Sequence, residues 1–414
     1  MNFDLTVQVS KRKEFIWNLL GSIANASTSV ILLMATTQIA GTTEAGLFSL
    51  AIANAQLFIT IGNFGVRPYQ ATDIYNRFQF EIYCTHRIVT CIFMLLISFL
   101  YCLINHSNDK KFIVIILFTI LKLVDAFADV LEGYMQQLNR LDLAGFAWFF
   151  RTALYSAAYS CGLWFSRDII TAALAAIGVA VLCLYLMLFM PVQRHRGKIH
   201  VQFDTGLMWQ LTKECFPLFF TLFLMMYLIN VPKYVIDNQM SLDNQTYYNI
   251  IYMPAQVINL LSVFAFKPLL TQMAEYWNNN KVRELKQYIY RLYVYILGIT
   301  ILAMGSAYVM GIPVLSLIYG VELGHLKPEL LVILIGGGFN AVVNMLYYVL
   351  TALRMQKNIL ISYVVVSLVA YVIASWSVKR WELMGAVCAY VVLMCLLAVW
   401  MTISMYRCIA RQKC

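Results

Sequence analysis

Twelve apolar runs follow one another along the chain, separated by short polar connections. They cover residues 15–39, 45–66, 87–104, 112–131, 144–165, 169–190, 215–236, 247–270, 288–309, 329–352, 359–378 and 384–405. A helix rising about 1.5 Å per residue needs about 20 mainly apolar residues to cross bilayer hydrocarbon. Each run has about that length, and no polar stretch between them could build a soluble domain. The pattern predicts an all-α polytopic membrane protein with twelve transmembrane helices.

Polar residues inside these runs are aligned. At about 100° per residue, Gln56, Thr60, Asn63 and Arg67 of the second run share an arc of roughly 60°. In the eighth, Asn249, Tyr252, Gln256, Asn259 and Lys267 share roughly 80°. Hydrocarbon offers such groups no hydrogen-bond partner, so both stripes are expected to face other helices or water. Two matching stripes that end in cations favour a polar cavity. The fourth run is the most charged: Lys122, Asp125, Asp129, Glu132 and Gln136, at intervals of 3, 4, 3 and 4, form one face. A charge at the middle of a span costs roughly 2.5–3.5 kcal/mol, so these groups must be paired, hydrated or protonated. Arg151 in the fifth run lies near the depth of Asp125, and the short connection makes the two helices antiparallel neighbours. An Asp125–Arg151 ion pair and an ion-coupling relay through Lys122, Asp125, Asp129 and Arg151 both fit this spacing. The tenth run opens with Gly336-Gly337-Gly338 and carries Asn340, Asn344, Tyr347, Thr351 and Arg354 along one face.

Sliding the chain on itself by 200 positions lays Phe64-Gly65-Val66-Arg67-Pro68 over Phe264-Ala265-Phe266-Lys267-Pro268. Each stretch closes an apolar run with a cation and a proline. Ala55-Gln56 falls on Ala255-Gln256, and Lys13-Glu14 on Lys213-Glu214. Tyr134 to Arg140 closes the fourth run as Tyr348 to Arg354 closes the tenth. The chain therefore reads as two copies of one six-helix unit. The N-terminal lobe covers 1–190, a basic cytoplasmic linker 191–213, and the C-terminal lobe 214–414. Repeats of six spans start on the same side of the membrane, so their pseudo-two-fold axis lies along the membrane normal. That is the plan of parallel-repeat transporters, with a substrate path between lobes and alternating access by rocking.

Composition agrees. The chain is 61% hydrophobic and 12% charged, with a mean hydropathy of +0.72; soluble domains average about 45–50% and about 25%. The first run is too long for the apolar core of a cleavable signal, about 7–15 residues, and follows Lys11-Arg12-Lys13. It is expected to be an uncleaved first span. With twelve spans, one side collects 20 lysines and arginines and the other 7, with Lys122, Arg151 and Lys267 inside spans. The positive-inside rule then places both termini in the cytoplasm. The net charge of +10 is mostly this topology signal and does not imply nucleic-acid binding. Ten cysteines include no CxxC pair, and five histidines lack metal-ligand spacing. No metal, cofactor or catalytic constellation is expected, and the chain does not read as an enzyme.

Three stretches carry a resemblance. They are Phe266-Lys267-Pro268-Leu269-Leu270 with Ala274-Glu275-Tyr276-Trp277 and Lys281, the run from Gly311 to Leu323 (GIPVLSLIYGVEL), and Leu353-Arg354-Met355-Gln356-Lys357-Asn358. With these the chain resembles the polysaccharide-unit flippases of bacterial O-antigen export, within the superfamily of multidrug, oligosaccharidyl-lipid and polysaccharide exporters. The resemblance spans the whole chain. It implies a twelve-helix, two-lobed inner-membrane protein that moves undecaprenyl-pyrophosphate-linked oligosaccharide from the cytoplasmic to the periplasmic leaflet. Lipid-linked oligosaccharide and membrane lipid are the expected partners, together with contact to the downstream polymerase machinery. Arg67, Lys267, Arg140 and Arg354, all at cytoplasmic ends of even-numbered spans, are candidate pyrophosphate contacts, since guanidinium forks match phosphate oxygens. Gln56, Gln256, Asn63, Asn259, Asn340 and Asn344 would suit sugar hydroxyls. The same cations also serve the positive-inside signal. A multidrug or cation antiporter of the same fold is the alternative, and it would need an acidic cavity. A membrane-embedded glycosyltransferase or polymerase would need catalytic groups and large loops, which are not visible.

Overall fold

The structure is a computed structural model of the chain, and it describes residues 5, 9–73, 77–105, 108–197, 200–266, 273, 275–277, 279 and 281–411. Among these every regular element is a helix. In chain order they are α1 (Lys11–Ala40), α2 (Thr42–Asn63), the short α3 (Val66–Thr72), α4 (Phe80–Ile104), α5 (Asp109–Gln137) and α6 (Leu141–Ser166). Then come α7 (Ile169–Leu184), which passes through a π turn into α8 (Met190–Arg196), α9 (Thr205–Gln239), α10 (Leu242–Phe266) and α11 (Val282–Ser306). A second π turn leads to α12 (Ile312–Tyr319), followed by α13 (Lys327–Ala352) and α14 (Gln356–Arg411). Backbone at Trp381 and Glu382 is non-helical, so α14 is two helical segments.

Each of the twelve apolar runs falls on a helix, the second as far as Asn63 and the eighth as far as Phe266. Among the described residues, eight helical stretches are long and apolar enough to cross a membrane, and one of them, Gln356–Ile409, holds the last two runs. The other three runs lie on α5, α6 and α10, whose charges, tyrosines and amides dilute their hydropathy. Helix α4 leaves Ile92, Phe93, Leu96 and Leu100 about half exposed, a face suited to lipid and not to water. The chain is a multi-pass membrane protein.

Helix starts follow their caps. Side-chain oxygens of Ser10, Asn108 and Asp168 accept from the amides of Lys13, Lys111 and Thr171, satisfying donors that a first turn leaves open. Helix α2 ends where two successive residues, Phe64 (φ 47°) and Gly65 (φ 65°), turn left-handed. Arg67 therefore lies in the first turn of a new helix, and the single stripe expected from Gln56 to Arg67 is broken.

The chain divides into two compact units, Met1–Met226 and Tyr227–Cys414. In the first, α5 is the hub, packed against α2, α3, α4, α6 and α7, while α1 lies along α6. In the second, α13 packs against α10, α11 and α14. Its three glycines explain that position. A Cβ on Gly336 would meet the Tyr390 ring of α14 at 2.5 Å, one on Gly337 Ala255 of α10 at 2.9 Å, and one on Gly338 Thr300 of α11 at 2.7 Å. Spaced about 100° apart, they let a different helix approach on each side.

The hubs share a register. Helix α5 ends at Gln137 and α13 at Ala352, 215 positions apart (137 to 352). Both ends close with the same left-handed turn. Asn139 (φ 56°) is followed by an Arg140 amide bonded to the Met135 carbonyl at 2.8 Å. Arg354 (φ 58°) is followed by a Met355 amide bonded to the Leu350 carbonyl at 2.8 Å. This pairing of long and short bonds around one left-handed residue is a Schellman cap. It sets Arg354 opposite Asn139, one position away from the Arg140 partner that the six-residue interval in the sequence suggests.

Candidate functional site

The charged face of α5 gathers cations from three other helices into one alternating chain. Lys122 Nζ lies 2.8 Å from Asp125 Oδ2, and Arg151 of α6 lies 3.3 Å from Asp125 Oδ1. The same guanidinium reaches Glu132 Oε1 at 3.0 Å, and Glu132 Oε2 is 3.4 Å from Arg67 of α3. Arg67 donates to Asp129 Oδ1 at 3.0 Å, and Arg87 of α4 holds Asp129 Oδ2 at 2.7 Å. The order is cation, carboxylate, cation, carboxylate, cation, carboxylate, cation. Asp125, Glu132 and Asp129 each lie between two cations, and one positive charge is left over.

Further bonds fix the geometry. Arg67 donates to the Asp129 carbonyl at 2.9 Å and through Nε to Gln136 at 3.1 Å. Arg87 donates to the Gly62 carbonyl at 2.7 Å and to Asn63 Oδ1 at 2.9 Å, which ties the end of α2 to α4. The Arg87 and Arg151 side chains are 1% and 3% exposed, whereas those of Arg67 and Asp129 are 23% and 22% exposed. The chain is therefore closed along most of its length and open at Arg67 and Asp129. Charges this deep must be fully paired, because removing one partner of a buried pair costs about 3–5 kcal/mol.

A smaller cluster lies beside α3. Asp73 accepts from the amides of Arg77 and Phe78 and from the Tyr83 hydroxyl. Arg77 pairs with Glu214 of α9 at 2.9 Å, and the Tyr69 hydroxyl donates to the same carboxylate. Partial burial and that carboxylate push the Tyr69 phenol above its ordinary pKa. Phe64 stacks on Phe219 with centroids 4.3 Å apart.

The structure treats the candidate residues differently. It joins Lys122, Asp125, Asp129 and Arg151 with Arg67, and it places Asn63 on Arg87. Asp125 and Arg151 are paired as their spacing suggested, with Glu132 as the arginine's second partner. Arg140 is buried and holds Asp142 through both faces of its fork, at 2.9 and 3.2 Å. Arg354 is exposed and Gln56 and Gln256 are half-buried. Asn344 Nδ2 donates to Asn259 Oδ1 at 2.6 Å, to the Asn340 backbone carbonyl at 3.0 Å and to Asn340 Oδ1 at 3.4 Å, so these three amides meet in the second unit. Lys267 lies outside the described residues.

Two cations were misplaced by sequence. Arg87, counted with a connection, stands two turns inside α4, because that helix starts at Phe80. Lys233, also counted with a connection, is buried in α9 with its Nζ 5.3 Å from the centre of the Tyr252 ring. The missed signal for Arg87 was the aromatic stretch from Phe78 to Tyr83, apolar enough to extend the helix backwards.

The shared register shows what the second unit has in place of the charges. Lys122, Asp125, Asp129, Glu132 and Gln136 correspond to Gly337, Asn340, Asn344, Tyr347 and Thr351, each 215 positions on. Arg151 corresponds to the buried Val366. Carboxylates and their arginine are replaced together, as expected if a buried charge is kept only with its partner.

The fold is that of membrane transporters of the MOP superfamily. An inward-facing multidrug-resistance MATE transporter is 12% identical over 92% of this chain and 95% of its own, with a TM-score of 0.69. The lipid II flippase MurJ in an inward closed conformation is 12% identical over 94% and 87%, with a TM-score of 0.71. The MATE transporter VcmN of Vibrio cholerae, in the bent form, is 12% identical over 97% and 97%, with a TM-score of 0.62. No curated protein matches the sequence. Residues 12–274 match the family of polysaccharide biosynthesis proteins, and the chain belongs to that family.

Proposed function

We propose that this protein is a flippase for a lipid-linked oligosaccharide. Its substrate is an undecaprenyl-pyrophosphate-linked O-antigen or related surface-polysaccharide unit. Alternating access carries that unit from the cytoplasmic to the periplasmic leaflet of the bacterial inner membrane, with both chain termini in the cytoplasm. The observation that carries this reading is the excess cation of the α5 network together with its open end at Arg67. A pyrophosphate oxygen can take the place of one Asp129 oxygen on the Arg67 fork, which keeps a charge-assisted bond throughout. Asn259, Asn340 and Asn344 offer neutral amides of the kind that hydroxyl-rich sugars need. A cation antiporter fits less well, because it needs a carboxylate with charge to spare, and each network carboxylate already holds two cations.

The test is gene deletion followed by complementation with wild type or Arg67→Gln, measuring lipid-linked glycan on each leaflet. Accumulation on the cytoplasmic face, relieved by wild type and not by the variant, is expected. Deletion that leaves glycan export intact but sensitises cells to lipophilic cations would instead establish the antiporter.

A further inference from the structure

The geometry points to an anionic-phospholipid site on α14, separate from the charge network. The helix breaks at Trp381 and Glu382, and its first turns, at Asn358 and Ile361, lie beside the turns from Trp400 to Arg407 near its other end. Between them lies a cleft of about 280 Å³ lined by Asn358, Ile361, Trp400, Ile403, Ser404 and Arg407.

The lining is graded along the helix axis. Asn358, Ser404 and the exposed Arg407 stand at the helix end, with the exposed Lys357 next in sequence to Asn358. Ile361, Trp400 and Ile403 lie deeper, between 42% and 50% exposed. Below them the same two segments expose Leu368, Val372, Val392 and Leu396. The amide end of the first segment adds the positive pole of its helix dipole at the polar mouth. An arginine, two neutral donors and a helix N-terminus suit a phosphodiester. A tryptophan suits the interface, and the exposed aliphatic face below suits an acyl chain. A glycerophospholipid with a net negative headgroup has these parts in this order. A free phosphate would leave the apolar wall uncovered, and a zwitterionic lipid would bring its own cation against Arg407.

The experiment is native mass spectrometry of the full chain in a neutral detergent. It would be titrated with phosphatidylglycerol, phosphatidylcholine, undecaprenyl phosphate and inorganic phosphate. Phosphatidylglycerol should be retained several-fold better than phosphatidylcholine. Loss of one charge-assisted bond should weaken its retention about ten-fold in Arg407→Gln, with Arg407→Lys intermediate. Lys286→Gln, an exposed cation of α11 that is not part of the cleft lining, should bind as wild type does. Unchanged melting temperatures without lipid would show that these variants fold. Equal retention of the two phospholipids would overturn the site, as would equal behaviour of Arg407→Gln and Lys286→Gln. Preference for undecaprenyl phosphate, or displacement by inorganic phosphate, would also reject a phospholipid occupant.

Discussion

Asp125 and Asn340 occupy the same position in two related helices, 215 residues apart, one ionic and one neutral. Asp125 lies between Lys122 and Arg151, while Asn340 Oδ1 accepts from the Asn344 side-chain amide at 3.4 Å. The position opposite Asp125 is Arg151, and its counterpart in the second unit is Val366. The two units thus solve one packing problem with different chemistry, and only the first carries charge at these positions.

This correspondence predicts a non-additive pair. Arg151→Val leaves Asp125 with Lys122 alone and Glu132 with Arg67 alone where the network is closed to water, and should lower stability by about 3–5 kcal/mol. Adding Asp125→Asn removes a pair that is already broken, so the double variant should lose at least about 1 kcal/mol less than the sum of the two single losses. Thermal unfolding of the purified single and double variants measures the coupling. Additive losses would mean that the two side chains do not share an ion pair.

Arg67 should separate function from folding. Its loss leaves Asp129 with Arg87 and Glu132 with Arg151, so each carboxylate keeps one partner. Arg67→Gln should remain abundant in the membrane, yet weaken substrate binding by about one to two decades through a lost charge-assisted bond of about 1.5–3 kcal/mol. Arg67→Lys should fall between. Glycan export measured beside membrane levels decides the matter, and full export by Arg67→Gln would remove it from the substrate site.

Arg87 should behave in the opposite way. It is fully buried and holds Asp129, the end of α2 and Asn63 at once. Arg87→Gln should reduce the amount of folded protein, through about 3–5 kcal/mol of lost stability. Normal levels with lost export would make Arg87 a substrate contact and not a structural one.

Glycine substitutions test the packing. A Cβ on Gly145 would stand 2.6 Å from the backbone of Trp17 and Asn18, where α6 crosses α1, whereas one on Gly178 meets nothing within 4 Å. Gly145→Ala should cost about 1–3 kcal/mol by overpacking, and Gly178→Ala should be neutral or slightly stabilising. Melting temperatures of the two variants provide the comparison.

The sequence by itself determined the helices, because in hydrocarbon a backbone must satisfy its own hydrogen bonds and apolar length alone then marks a span. It also determined the charged face of α5, since 3, 4, 3, 4 spacing admits one geometry on a helix. The partner Arg151 was legible because a short turn fixes its depth. Which cations meet that face was decided only by tertiary structure. Arg67 arrives through the left-handed break at Phe64 and Gly65, and Arg87 from a helix that begins earlier than its hydropathy suggests. Neither fact lies in local periodicity, because each depends on how separate helices stack around α5. The register of the two units likewise came from the matched caps at Asn139 and Arg354. Backbone geometry kept that correspondence after the side chains on the hub had changed from ionic to neutral.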